Sequence, residues 1–126
     1  MPSPTSAPRV QLRLRGGAEP LFAEVVWPAG DTAGRSGVLV LLVEPGATRP
    51  VEPAPDVLTF VAGCRSVEDG LYALEWIADH AAQLGADGDR LLLSGGTAVS
   101  DAVAARARET GWPRIARPVL RRTTGT

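Results

Sequence analysis

Lysine is absent from this sequence of 126 residues, and all of its 13 basic residues are arginines. The absence excludes the phosphate-binding lysine of a P-loop nucleotide site. The formal net charge of −1 at pH 7 also argues against a broad nucleic-acid surface, because such surfaces concentrate basic residues. We therefore expect no nucleic acid among the partners.

Cysteine and histidine are equally scarce, with one of each, Cys64 and His80. A lone cysteine cannot form an internal disulfide, and no apolar run approaches the roughly 18 residues that a membrane span requires. Residues 1–9 are rich in proline and serine and lack the apolar core of a signal peptide, so they predict a disordered tail. We expect a cytoplasmic protein without a membrane partner, a metal or a cofactor.

Two strand patterns follow this tail. Residues 10–15 alternate apolar and polar side chains, which is typical of an outer strand with one face in water. Residues 21–27 predict a second strand, and Gly16 and Gly17 between the two indicate a turn. The pair therefore predicts an antiparallel hairpin with a loop longer than a tight turn.

Two continuous apolar runs form the centre of the predicted sheet. Residues 38–43 and 57–62 do not alternate, which favours strands that are covered on both faces. The segment between them cannot form a helix of useful length, because proline removes backbone donors and restricts the preceding residue. The prolines in question are Pro45, Pro50, Pro53 and Pro55.

The remaining pattern alternates helices and strands. Ser66 followed by Asp69 predicts the start of a helix, and Gly85 predicts the left-handed residue that ends it. A polar loop over 86–89, a strand over 90–93, a helix over 98–109 and an edge strand over 114–120 follow.

These elements predict an α/β fold in a single domain over residues 10–120, with a frayed tail over 121–126. The expected sheet is mixed but mostly parallel, with about six strands and two main helices.

The junction between the fifth predicted strand and the second helix carries the candidate site. Ser94, Gly95, Gly96 and Thr97 lead into Ala98, so hydroxyl groups and free backbone amides meet at a helix N-terminus. Such amides and the helix dipole favour an anion. Gly95, Gly96 and Ala98 are therefore candidate ligand-binding residues for a small anion or nucleotide.

A series of short motifs surrounds this junction. In order they are Glu68-Asp69, Tyr72-Ala73-Leu74-Glu75-Trp76-Ile77-Ala78, His80-Ala81-Ala82-Gln83-Leu84-Gly85, Asp89-Arg90, Leu91-Leu92-Leu93 and Ser94-Gly95-Gly96-Thr97-Ala98. The series resembles the α/β-hydrolase superfamily, in the esterase and lipase branch related to hormone-sensitive lipase. The resemblance covers about a third of the chain and implies a truncated α/β-hydrolase core.

The chemistry of that family needs a serine on a sharp elbow, a histidine base, a carboxylate and backbone donors for the oxyanion. Thr97 stands at the serine position, where its extra methyl group stiffens the side chain and crowds the turn. Glu44 and Pro45 stand where the resemblance places the oxyanion donors, and His80 precedes the elbow instead of following it. The resemblance therefore implies a degenerate esterase site.

Two single residues offer other interpretations. His80 is a candidate base, although a histidine at this helix position is common and structural in the family that the chain resembles. Cys64 is a candidate nucleophile, although a lone cysteine without a partnered histidine is usually inert.

We expect a binding or protein-interaction module with an inactive esterase-like site. One alternative is a weak carboxylic-ester hydrolase that uses Thr97 or Ser94 with His80 or with a base from a partner subunit. Another is binding of an anion, a nucleotide or a different small molecule at residues 94–97. An open sheet edge with apolar surface favours a homo-oligomer or a protein partner that covers it.

Overall fold

The chain forms a β-sheet with two helices packed together on one of its faces. The computed structural model describes residues 9–15, 20–29, 36–44, 54, 56–94, 98–113 and 115. Its strands are β1 (Arg9–Leu14), β2 (Leu21–Val26), β3 (Ser36–Val43), β4 (Leu58–Gly63) and β5 (Ala86–Leu93). Its helices are α1 (Val67–His80) and α2 (Ala98–Thr110), and a turn of 3-10 helix, Ala82–Leu84, follows α1.

The strands lie in the order β1-β2-β4-β3-β5. The predicted hairpin is confirmed, because β1 and β2 pair in antiparallel fashion with β1 at the edge. β2 is also antiparallel to β4, whereas β3 is parallel to both β4 and β5. The α/β fold is therefore confirmed. The expectation of a mostly parallel sheet with about six strands needs correction, because the five described strands form two parallel and two antiparallel pairings.

The predicted last strand, residues 114–120, lies mostly outside the described residues. Ile115 is the described member of that segment, and it forms an isolated parallel bridge with Leu91 of β5. The bridge is consistent with a further parallel strand beside β5, whose extent stays a prediction. The tails predicted over residues 1–9 and 121–126 lie outside the described residues except for Arg9. Arg9 belongs to β1 and pairs with Val26, so the strand begins one residue earlier than predicted.

β3 and β4 occupy the centre of the sheet, as their continuous apolar runs predict. On the side of the helices, Val38, Val40 and Phe60 are fully buried. The alternate residues Leu39 and Leu41 are only half-buried. On the same face as Leu39, however, Thr59 of β4 and Val26 of β2 are 2% and 0% exposed. The second face is therefore covered at these positions and less deeply at Leu39 and Leu41.

The start of α1 agrees with its sequence pattern. The Asp69 amide donates to the Oγ of Ser66 at 3.2 Å, and the Asp69 carboxylate accepts from the Arg65 amide at 2.9 Å. These two bonds satisfy donors at the helix start. The predicted left-handed stop is confirmed at Gly85, with φ of 86°, but it ends the 3-10 turn that follows α1.

The predicted polar loop over residues 86–89 is wrong, because β5 already begins at Ala86, which pairs with Ser36. Small residues let this strand pass close to the end of α1. A Cβ atom on Gly88 would lie 2.6 Å from the carbonyl oxygen of Ala78. A prediction based on polarity alone therefore placed the start of this strand four residues too late, at residue 90 instead of Ala86.

Gly70 marks the point where α1, α2 and the sheet meet. A Cβ atom there would lie 2.6 Å from Cγ2 of Val103 in α2 and 3.2 Å from Cδ1 of Leu42 in β3. Val103 is completely buried, and its branched side chain has little freedom to move. The two helices can approach each other over the sheet because this position has no side chain.

Gly70→Ala tests this contact. Helix propensity alone would make the change stabilising by about 0.5–1 kcal/mol. We expect instead that overpacking lowers the free energy of unfolding by about 1–3 kcal/mol in urea titrations. Glu75→Ala, at an exposed position of the same helix, should change it by less than about 0.5 kcal/mol. A Gly70→Ala variant that is more stable than the wild type would contradict the contact.

Candidate functional site

The junction between β5 and α2 begins at a well-anchored residue. Leu93 is buried, and the amide of Ser94 donates to the carbonyl oxygen of Val40 in β3 at 3.0 Å. Ser94 is half-buried, whereas Ala98, the first residue of α2, is exposed. Gly95, Gly96 and Thr97 lie outside the described residues, so their assignment to a nucleophile or ligand site stays a prediction.

The carboxyl ends of the three parallel strands meet at one edge of the sheet, which is where ligands bind in open α/β sheets. The amide of Cys64, just after β4, donates to the carbonyl oxygen of Val43 at 2.8 Å. Ser94 is fixed on the other side of β3. Two strand spacings of about 4.8 Å separate β4 from β5, and the two bonds lie three residues apart along β3, about 10 Å. Cys64 and Ser94 are therefore roughly 14 Å apart, with Ser94 set back from the end of β3.

Two exposed acidic residues, Glu44 and Asp101, also lie near this edge. Glu44 follows β3 and is exposed, and Pro45, its neighbour at the predicted oxyanion position, lies outside the described residues. Asp101 is exposed in the first turn of α2, where the helix dipole favours its negative charge. Its carboxylate opposes the binding of a second anion at the same helix end.

His80 lies at the opposite end of the sheet from the junction. α1 starts beyond the carboxyl end of β4 and returns the chain to Ala86, which pairs with Ser36 at the start of β3. His80 is the last residue of α1, and the 8 residues of β5 then lead back to Ser94. The strand is irregular, because Ala86 pairs with Ser36 and Leu93 with Val40, so β5 advances only as far as four residues of β3, about 13 Å. α1 itself is 14 residues long and carries His80 about 20 Å from the start of the helix at the carboxyl edge. The structure therefore does not bring His80 and Ser94 together.

The imidazole of His80 is held by its own helix. Its Nδ1 lies 2.8 Å from the carbonyl oxygen of Trp76, which can only accept, so Nδ1 donates this bond. The ring stacks on Trp76 with centroids 4.1 Å apart, and Trp76 stacks in turn on Phe60 at 5.8 Å. Sequence analysis did not anticipate this stack, although the i, i+4 spacing of Trp76 and His80 was a signal for their contact.

Solved structures of esterases share this fold. A bacterial heroin esterase matches with a TM-score of 0.72 and 21% identity, over 90% of this chain and 43% of that chain. The thermophilic carboxylesterase EstE1, cloned from a metagenomic library, gives a TM-score of 0.64 and 22% identity, over 83% of this chain and 43% of that chain. An esterase from Pyrobaculum calidifontis gives 0.61 and 20%, over 85% and 43%.

This chain has part of an α/β-hydrolase fold. The resemblance stated from the sequence motifs is thus confirmed at the level of the fold. The chain spans 43% of the length of each of these esterases. No family model and no curated protein matches the sequence. No helix in the part of the chain that the structure describes is long and apolar enough to cross a membrane.

In an α/β-hydrolase fold the nucleophile lies on a strand-to-helix turn, and the carboxylate and histidine of the triad follow it along the chain. The β5–α2 junction likewise leads from a strand into a helix. The sequence contains a single histidine, and His80 both precedes the junction and lies at the far end of β5. Within the described residues, the junction therefore has a half-buried serine but no imidazole.

Cys64, the other candidate nucleophile, is not reactive in this structure. Its side chain is buried, and its Sγ donates a weak hydrogen bond to the carbonyl oxygen of Ala62 at 3.7 Å. Burial, and after it the negative charge of Asp69, raises the pKa of the Cys64 thiol from 9.0 to about 12. Because the thiolate is the reactive form, a thiol that keeps its proton at neutral pH is inert.

The pH dependence of stability tests the state of Cys64, with Cys64→Ala as the reference. The unfolded thiol loses its proton near pH 9.0, whereas the folded thiol keeps it up to about pH 12. Relative to Cys64→Ala, the free energy of unfolding should therefore be constant below pH 9.0 and fall as pH rises from there towards about 12. Urea titrations on both sides of pH 9.0 measure this difference.

Labelling offers an independent check. Iodoacetamide at neutral pH should modify Cys64 in urea-unfolded protein and leave the folded protein unmodified. Equal labelling rates in the two states would show an accessible, reactive thiol and contradict this description.

Proposed function

We propose that this chain is a binding or protein-interaction module built on part of an α/β-hydrolase fold, and that it does not hydrolyse esters by itself. The observation that carries the proposal is the position of His80, which ends α1 about 20 Å from the start of that helix at the carboxyl edge and donates to its own helix. The base on which a serine or threonine nucleophile depends is therefore remote from Ser94.

Known catalytic triads indicate how much hydrolytic activity is lost without the histidine base. A hydroxyl group is a weak nucleophile unless an adjacent base takes its proton. Removal of the triad histidine from a serine protease lowers kcat by about a millionfold. A chain whose histidine cannot reach the junction should therefore retain only background hydrolysis.

Hydrolysis by Ser94 or Thr97 is the competing function. The anchoring of Ser94 at the carboxyl edge and the esterase neighbours of the fold favour it, and a partner subunit would have to contribute the base. The two functions differ in whether activity depends on the hydroxyl groups at the junction.

Hydrolysis of p-nitrophenyl acetate and labelling by a fluorophosphonate probe distinguish the interaction module from the hydrolase. We expect no labelling, and the same slow hydrolysis from the wild type, Ser94→Ala, Thr97→Ala and His80→Asn. An active serine esterase treated in parallel serves as the positive control. Labelling or hydrolysis that Ser94→Ala or Thr97→Ala abolishes would refute the proposal and establish the hydrolase alternative.

A further inference from the structure

Two Asp-Gly units occur in this chain, Asp69-Gly70 and Asp87-Gly88. In such a unit the amide nitrogen of the glycine can attack the aspartate carboxyl carbon and form a five-membered cyclic imide, because glycine has no side chain to hinder the approach. The folded structure controls this reaction, since the carboxyl carbon must be held close to that nitrogen. The two units have different surroundings, so their reactivity should differ.

Asp69-Gly70 is fixed at the start of α1. The amide of Gly70 donates to the carbonyl oxygen of Ser66 at 3.1 Å. The Asp69 carboxylate accepts from the amide of Arg65 at 2.9 Å, which directs it towards the preceding residues. Gly70 is buried, and the contact with Val103 leaves no room for a larger group. Ring closure here would break the first turn of the helix and its cap.

Asp87-Gly88 lies in the irregular part of β5. The neighbouring pairs are Ser36 with Ala86 and Val38 with Leu91, so four residues of β5 lie opposite one residue of β3. Extra residues in a strand are left out of the regular ladder of hydrogen bonds. Both residues of this unit are half-buried, so water reaches them.

The carboxylate of Asp87 is folded over the peptide unit of Gly88. Its Oδ1 accepts a hydrogen bond from the amide of Asp89 at 2.9 Å. A bond from an aspartate side chain to the amide two residues further on closes a turn around the residue between them. The carboxyl group is therefore directed forwards, towards the nitrogen of Gly88. At Asp69 the corresponding bond is directed backwards, to Arg65.

We propose that Asp87 is a site of spontaneous isoaspartate formation in the folded protein and that Asp69 is protected from it. The nitrogen of Gly88 bonds to Cγ of the Asp87 carboxyl group, and the Cγ–OH bond breaks. The hydroxyl group leaves as water with the amide proton. Water then adds to the main-chain carbonyl carbon of the imide, and the bond from that carbon to the nitrogen breaks. The net reaction is an isomerisation that needs only water.

The product has a different main chain. In isoaspartate the chain runs through Cβ and Cγ, which lengthens the backbone by one atom. β5 passes close to the end of α1 at this point, because a Cβ atom on Gly88 would lie 2.6 Å from the carbonyl oxygen of Ala78. We therefore expect the modified protein to unfold at a lower urea concentration. This inference goes beyond the proposed interaction role and does not depend on it.

Ageing of the full chain for weeks in neutral buffer tests the proposal. Trypsin would leave both units in one fragment, because no arginine lies between Arg65 and Arg90. A glutamate-specific protease cuts after Glu75 and separates them. Isoaspartyl methyltransferase with a labelled methyl donor then measures the isoaspartate in each fragment.

We expect at least about tenfold more isoaspartate at Asp87 than at Asp69 in the folded protein, because the helix must open before Asp69 can react. In urea the two positions should react at similar rates. Asp87→Glu should remove the signal, since its ring would have six members and closes far more slowly. Asp87→Ala is a second variant that should also remove it. Asp79→Glu, at an exposed aspartate that no glycine follows, is the matched control and should leave the signal unchanged.

Equal amounts of isoaspartate at the two positions of the folded protein would overturn the proposal. Isoaspartate at Asp87 that forms only in urea would do the same, because the folded strand would then protect this unit as well. Circular dichroism on each variant shows that the comparison is made between folded chains. Hydrolysis in the esterase assay would refute the proposed function without changing the isoaspartate result.

Discussion

The close approach of α1 and α2 over β3 is the contact on which the rest of the structure depends. Gly70 permits it, because a Cβ atom there would overlap Val103 and press on Leu42. Through this contact the chain buries Val38, Val40 and Phe60, the centre of its core, under both helices. On the other face Leu39 and Leu41 are half-buried, whereas Val26 and Thr59 are buried.

The connection from β4 through α1 to β5 also decides the chemistry of the candidate site. α1 carries the chain away from the carboxyl edge of the sheet, so His80 reaches the amino end while β5 returns to the junction at Ser94. The 3-10 turn after this helix is held in place by the Nε1 of Trp27, which donates to the carbonyl oxygen of Leu84 at 2.9 Å. With His80 stacked on Trp76, the geometry favours a scaffold with surfaces for binding over a self-contained catalytic centre.

Much of the fold was predictable because its signals are local. The Ser66 cap, the left-handed Gly85 and the hairpin each depend on a few neighbouring residues, and each is confirmed. The start of β5 was misplaced because Asp87 and Asp89 have the composition of a loop, whereas pairing of Ala86 with Ser36 extends the strand. Which residues of the central strands lie under the helices also lay beyond prediction, since an apolar run looks the same whichever face the helices cover.

By itself, the sequence determined the helix and strand segments, the presence of a single histidine and a single cysteine, and the motifs that resemble an α/β-hydrolase. These properties belong to individual residues and their near neighbours. Only the tertiary structure decided that Cys64 is a buried, protonated thiol and that His80 lies at the end of α1 away from the carboxyl edge, where Ser94 lies. Both depend on strand order and on the path of α1 across the sheet, which arise from contacts between residues far apart in the chain.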